Sequence, residues 1–154
     1  MSSGLPDGIY MIICRDDDGQ EMAVHIETPS AVGEPVRLAP MGQFRPSPIR
    51  IDNHGGDSYQ LTPADGPRMP GMPCLAAKRE ALPPMILLLP TGTGQGDMTE
   101  WALDQSGPET YTIHGTPQSG RGDLCWTARG DRIQLEGQMG KPTQQWRIVP
   151  LIRD

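Results

Sequence analysis

Apolar and polar residues alternate in short runs separated by Gly, Pro and Asp, which is the period-two pattern of half-buried strands. Three of these runs share a signature: Gly8-Ile9-Tyr10-Met11-Ile12, Asp57-Ser58-Tyr59-Gln60-Leu61 and Glu109-Thr110-Tyr111-Thr112-Ile113. Each reads Tyr-x-(Ile/Leu), and they contain the chain's three tyrosines, 49 and 52 residues apart. A second marker follows as Val36-Arg37-Leu38, Ile86-Leu87-Leu88 and Ile133-Gln134-Leu135, at 26, 27 and 22 residues after the tyrosines. Pro40-Met41-Gly42 and Pro90-Thr91-Gly92 come next in the first two copies. The third marker, Ile49-Arg50-Ile51, Trp101-Ala102-Leu103 and Trp146-Arg147-Ile148, falls 13, 15 and 13 residues after the second. Between the first two markers each copy has room for one more strand, at Met22 to Glu27, Pro73 to Lys78 and Leu124 to Ala128.

Four strands in each of three copies make twelve. One copy alone cannot bury its apolar face, so the three must close on one another. The pattern therefore predicts an all-β chain folded as a β-trefoil, a six-stranded barrel capped by three hairpins. It would be one domain over residues 1–154, in pseudo-symmetric units of about 7–52, 57–104 and 109–150. A β-sandwich is the rival, and it would not need the threefold spacing. The expected core is Tyr10, Ile12, Val36, Leu38, Ile49, Tyr59, Leu61, Ile86, Leu88, Trp101, Tyr111, Ile113, Ile133, Leu135, Trp146 and Ile148. Methionine would fill irregular gaps between them.

Composition sharpens this picture. Gly and Pro number 19 and 17 of 154 residues, whereas Leu, Ile, Val and Phe together number only 28. That is close to the boundary below which a chain buries too little apolar surface to fold. A small core shared by three equivalent units removes the conflict, and many of the Gly and Pro residues then mark turns. With 19 acidic against 13 basic residues the chain is a poor partner for nucleic acid. Apolar runs such as Met85 to Leu89 are too short to span a membrane. Met1 to Tyr10 shows neither a basic nor an apolar leader region, so a cytoplasmic protein is expected. Cys14, Cys74 and Cys125 are odd in number and far apart, which predicts free, buried thiols.

The start Asp7-Gly8-Ile9-Tyr10-Met11-Ile12 and the end Gln144-Gln145-Trp146-Arg147-Ile148 resemble the small cytosolic β-trefoil protease inhibitors of mushrooms. These are the mycocypin and cospin types, related in architecture to plant Kunitz inhibitors. The resemblance implies a protein that is not an enzyme, needs no cofactor, and binds a protease through its loops. Plant Kunitz inhibitors are normally secreted with two disulfides, and the odd cysteine count here departs from that.

A trefoil core holds no catalytic cleft, so function belongs to loops. A substrate-like inhibitory loop must be extended and stiff before it binds, because stiffness lowers the ordering cost. Leu61 to Pro73, joining the fifth and sixth strands, carries Pro63, Pro67, Pro70 and Pro73 around a single basic residue. Proline holds φ near −65° and drives the preceding residue to extended backbone. Pro67 and Pro70 would thus present Arg68-Met69 as a rigid dipeptide, with Arg68 suited to the acidic pocket of a trypsin-like protease. In mycocypins, the resemblance implies, this loop carries the residue read by asparaginyl endopeptidase or trypsin. An ordinary Pro-rich surface loop is the competing reading. Arg121, in a glycine-rich stretch, and Asn53, in the loop joining the first two units, are secondary candidates. The loops Asp16 to Gln20 and Met41 to Ser47 are where the mycocypin type would meet papain-like enzymes. Arg45 precedes a proline and suits a trypsin-like protease poorly.

A ricin-B-like lectin is the alternative trefoil class. Its Gln-x-Trp hallmark fits at Gln144 and Trp146, but the matching positions are Ser47 and Ile49, and Thr99 and Trp101. Trp126 with Asp123 or Asp131 is the one candidate sugar platform; the other reading makes Trp126 a strand residue packed under a hairpin. Gly92 to Gly96 lacks the Lys-Ser/Thr of a phosphate loop. Asp16-Asp17-Asp18-Gly19 lacks calcium-loop spacing and reads as a hairpin turn. His25, His54 and His114 have no paired ligand spacing, so no metal site is expected.

Overall fold

The computed structural model describes residues 5–16, 18–26, 35–43, 46–53, 55, 58–64, 73–78, 84–90, 97–116 and 124–151. The first third of the chain forms β1 (Gly8–Arg15), β2 (Glu21–His25), β3 (Arg37–Pro40) and β4 (Ile49–Asn53). The second forms β5 (Tyr59–Pro63), β6 (Pro73–Lys78), β7 (Leu87–Pro90), β8 (Asp97–Met98) and β9 (Trp101–Gly107). The last forms β10 (Thr110–Gly115), β11 (Leu124–Arg129), β12 (Arg132–Gly137) and β13 (Trp146–Pro150), with a 3₁₀ turn at Pro142–Gln144. Strands occupy all twelve expected places. The thirteenth, β8, adds two residues to the edge of β6, pairing Met98 with Ala77, and is too short to alternate visibly.

Six strands close a ring in which β1 pairs with β13, β13 with β10, β10 with β9, β9 with β5, β5 with β4, and β4 with β1. In each third the marker tyrosine lies opposite the first residue of the third marker: Tyr10 with Ile49, Tyr59 with Trp101, and Tyr111 with Trp146. The other strands form hairpins whose registers also correspond: Val24 with Leu38, Leu75 with Leu88, and Trp126 with Leu135. The hairpins meet through backbone bonds between equivalent residues. Val36 N–H donates to the Ile86 carbonyl, and Ile86 N–H to the Ile133 carbonyl, both over 2.9 Å. These six- and three-membered arrangements have the same repeat as the sequence markers.

One apolar cluster draws on all three thirds of the chain, and all sixteen expected core residues are buried in it. Burying a large aliphatic side chain contributes about 1.5–3 kcal/mol, and a lone hairpin has nowhere to bury one. The centre is a row of three tryptophans. Trp126 stands edge-on between Trp101 and Trp146, with ring centroids at 5.5 and 5.7 Å. The indole N–H of Trp101 donates to the Leu75 carbonyl over 2.7 Å, and that of Trp146 to the Trp126 carbonyl over 3.0 Å. Leu75 and Trp126 hold the same place in β6 and β11, so these are one bond in two copies. In the first third Ile49 stands at the donor position and has no side-chain N–H.

All three cysteines are buried and free. Burial, helped by nearby Asp16, pushes the Cys14 thiol up to about 12. Burial pushes that of Cys125 up to about 11, against a lowering hydrogen bond from Thr127.

Candidate functional site

One loop of the described surface, joining β12 to β13, is pinned from beneath by a buried side chain. Its residues 137 to 142 are exposed, and Thr143 and Gln144 beneath them are buried. The Gln144 Oε1 accepts the Met139 backbone N–H over 2.7 Å. Its Nε2 donates to the Gly137 carbonyl over 2.8 Å and to Thr127 Oγ1 over 3.1 Å. A buried amide with both hydrogens used ties the loop to the barrel at two backbone points. Gly140 turns the chain at φ +69°, where a Cβ would be strained. Lys141 is extended, as a residue before proline must be, and Pro142 opens the 3₁₀ turn. Above this support Met139 is 55 % exposed, the only large apolar side chain so open among the described residues.

The sequence pattern did not single out this loop, and Gln144-x-Trp146 stood there only as the one copy that fits the lectin hallmark. Both residues have structural tasks instead: Gln144 pins the loop, and Trp146 bonds the Trp126 carbonyl. A glutamine two residues ahead of a core tryptophan, behind a Met-Gly-Lys-Pro turn, was the available signal. Ser47, two residues before Ile49, does similar work in the first third. Its Oγ accepts the Ile26 N–H over 2.8 Å, and its own N–H donates to the Val24 carbonyl.

The other expected site residues are dispersed. Pro67, Arg68, Met69 and Pro70 lie outside the described residues, as do Arg121 and Asp123. Trp126 is not a surface platform: it is wholly buried, at the hairpin position that Val24 and Leu75 occupy elsewhere, with no face open to a sugar. Asp131 is exposed on the β11–β12 turn, 3.2 Å from Arg37 and 4.0 Å from Arg132. Asn53 is exposed, but its side chain shapes its own turn. Its Nδ2 donates to the Ser58 carbonyl, and its Oδ1 accepts the Gly55 N–H.

The Asp16 to Gln20 turn is held by the Asp16 carboxylate, whose Oδ1 accepts the N–H groups of Asp18 and Gln20, each over 2.9 Å. Beside it a cleft of about 190 Å³ lies between β1, β2 and β13, with Ile13 and Cys14 among its lining residues. The charges there are spent on one another, Glu21 lying 3.1 Å from Arg147 and 3.9 Å from Arg15. On the β11–β12 hairpin Arg129 grips Glu136 with two contacts of 2.6 Å, and that hydrogen-bonded pairing holds the Glu136 carboxyl below its ordinary range. No group of three His, Cys, Asp or Glu among the described residues is placed to hold a metal ion.

No protein-family model matches the chain, and no curated protein matches it. Solved structures do match it over nearly its whole length. A designed threefold-symmetric protein, ThreeFoil, superposes with a TM-score of 0.67 at 19% identity, covering 94% of this chain and 100% of its own. A salivary protein of the cysteine- and tryptophan-rich family from the mosquito Culex quiquefasciatus gives 0.68 at 17% identity, over 98% and 99%. A proteinase inhibitor from Coprinopsis cinerea gives 0.66 at 12% identity, over 96% and 100%. At these identities the likeness is one of fold, an all-β barrel with threefold repetition.

Proposed function

We propose that this chain is a β-trefoil protease inhibitor, a binding protein and not an enzyme. The observation that carries this reading is the whole-length likeness of its fold to a fungal proteinase inhibitor. The barrel interior is filled by side chains from all three thirds, so binding falls to the loops. The target we favour is a trypsin-like serine protease, with Arg68 entering its acidic pocket between the stiffening residues Pro67 and Pro70. The support for that choice is the proline chemistry of the sequence. The sugar-binding alternative loses Trp126, its candidate aromatic platform, to the core.

Titration of trypsin with the purified protein tests the reading. Stoichiometric inhibition is expected, and Arg68→Ala should abolish it. Absence of inhibition at micromolar protein, against trypsin, chymotrypsin and papain alike, would sink it. Full inhibition by Arg68→Ala would move the site to another loop.

A further inference from the structure

The geometry points to the loop from Gly137 to Pro142 as a second protease-binding element, with Met139 as the anchor for a chymotrypsin-like enzyme whose specificity pocket is apolar. The inference rests on the inhibitor reading but uses a different loop from Arg68. An isolated exposed methionine needs no explanation by itself. This one differs because the backbone beneath it is fixed in advance. Its own N–H is held by the buried Gln144 amide, which also holds the Gly137 carbonyl two residues earlier. Thr127 completes that amide from β11. The ordering cost of the loop is therefore already met when a partner arrives.

The chemistry of the loop narrows the partner. Lys141 is the only charged residue between Gly137 and Gln145, and Pro142 follows it. A Lys-Pro bond suits a trypsin-like site poorly, so the projecting group that can be read is the uncharged thioether of Met139. An unbranched methionine fills apolar pockets of varied shape. Gly140 turns the chain at φ +69°, so the backbone after Met139 departs from the extended form of a cleaved substrate. Met139 enters as a wedge and its following peptide bond stays intact.

The test measures inhibition of chymotrypsin and trypsin, in parallel, by the wild-type chain, Met139→Asp and Met139→Ala. Chymotrypsin inhibition by the wild type is expected, with a loss of at least about 30-fold in Met139→Asp, as for the anchor of an interface. Trypsin inhibition should be the same for all three proteins, and mass spectrometry should find the bond after Met139 uncut. Equal unfolding midpoints for the three chains are expected, because the side chain is exposed. Chymotrypsin inhibition that survives Met139→Asp, or inhibition of trypsin alone, overturns this inference and leaves the inhibitor reading standing. Cleavage after Met139 with release of enzyme also overturns it. Failure to inhibit chymotrypsin, trypsin and papain overturns both.

Discussion

Trp146 donates its indole N–H to the backbone carbonyl of Trp126, yet the buried indole N–H of Trp126 itself has no hydrogen-bond partner among the described residues. Two tryptophans in edge contact thus stand on opposite sides of the same energetic rule. A buried group left unpaired costs about 1–3 kcal/mol, whereas a paired one contributes modestly.

Replacement by phenylalanine separates the two. Trp146→Phe removes the hydrogen bond to the Trp126 carbonyl, and Trp101→Phe removes the one to the Leu75 carbonyl. Trp126→Phe removes an orphaned donor. All three lose similar ring volume, so urea unfolding should find Trp126→Phe the mildest, by about 1 kcal/mol or more. Equal losses would mean that the indole bonds contribute nothing.

The first hairpin turn is expected to be sensitive at two positions. Gly19 has φ +83°, and Asp16 holds the turn through two backbone N–H groups. Gly19→Ala and Asp16→Ala should each cost about 1 kcal/mol. A neutral Gly19→Ala in urea titration would contradict the turn geometry.

Glu109 is the only non-glycine at positive φ among the described residues, at 58°, where a Cβ costs about 1–2 kcal/mol. Its carbonyl accepts the Ile148 N–H over 2.9 Å, so the strained turn is locked to β13. Glu109→Gly keeps that bond and relieves the strain, and a gain of about 0.5–1 kcal/mol is expected in the unfolding free energy. Destabilisation would show that the glutamate side chain matters more than its backbone.

The cysteines should be silent while the protein is folded. At pH 8 a disulfide reagent should modify none rapidly, then three after denaturation. The raised Cys14 thiol also makes stability fall at alkaline pH. The folded state keeps the proton up to about 12, while the unfolded thiol releases it near the ordinary value of 9.0. That contribution is full below 9 and is lost as pH rises towards 12. Cys14→Ala should flatten this alkaline slope, and an unchanged slope would assign it to other groups.

Strand placement was legible because the three marker sets are the residues that touch: each Tyr-x-(Ile/Leu) tyrosine faces the opening residue of its own third marker. Trp126 was harder to place, since its equivalents Val24 and Leu75 share nothing with it except position in a hairpin. β8 escaped because two residues show no alternation. The Met139 loop was hidden for another reason. Its support is a side chain five residues downstream, and no local propensity reports a hydrogen bond of that kind. Arg68 was picked out by proline spacing, its lone positive charge and the mycocypin resemblance, and that residue lies outside the described residues.

The pairing of β1 with β13 sets Tyr10 against Pro150, 140 residues later in the chain. Contacts of such separation form slowly, since loop closure is paid before they contribute. During synthesis the three hairpins can assemble as each emerges from the ribosome, but β1 must wait with one edge bare until β13 arrives. A nascent chain stalled before Trp146 should therefore be a protease-sensitive, chaperone-dependent species, and folding of this barrel should finish only after β13 has left the exit tunnel.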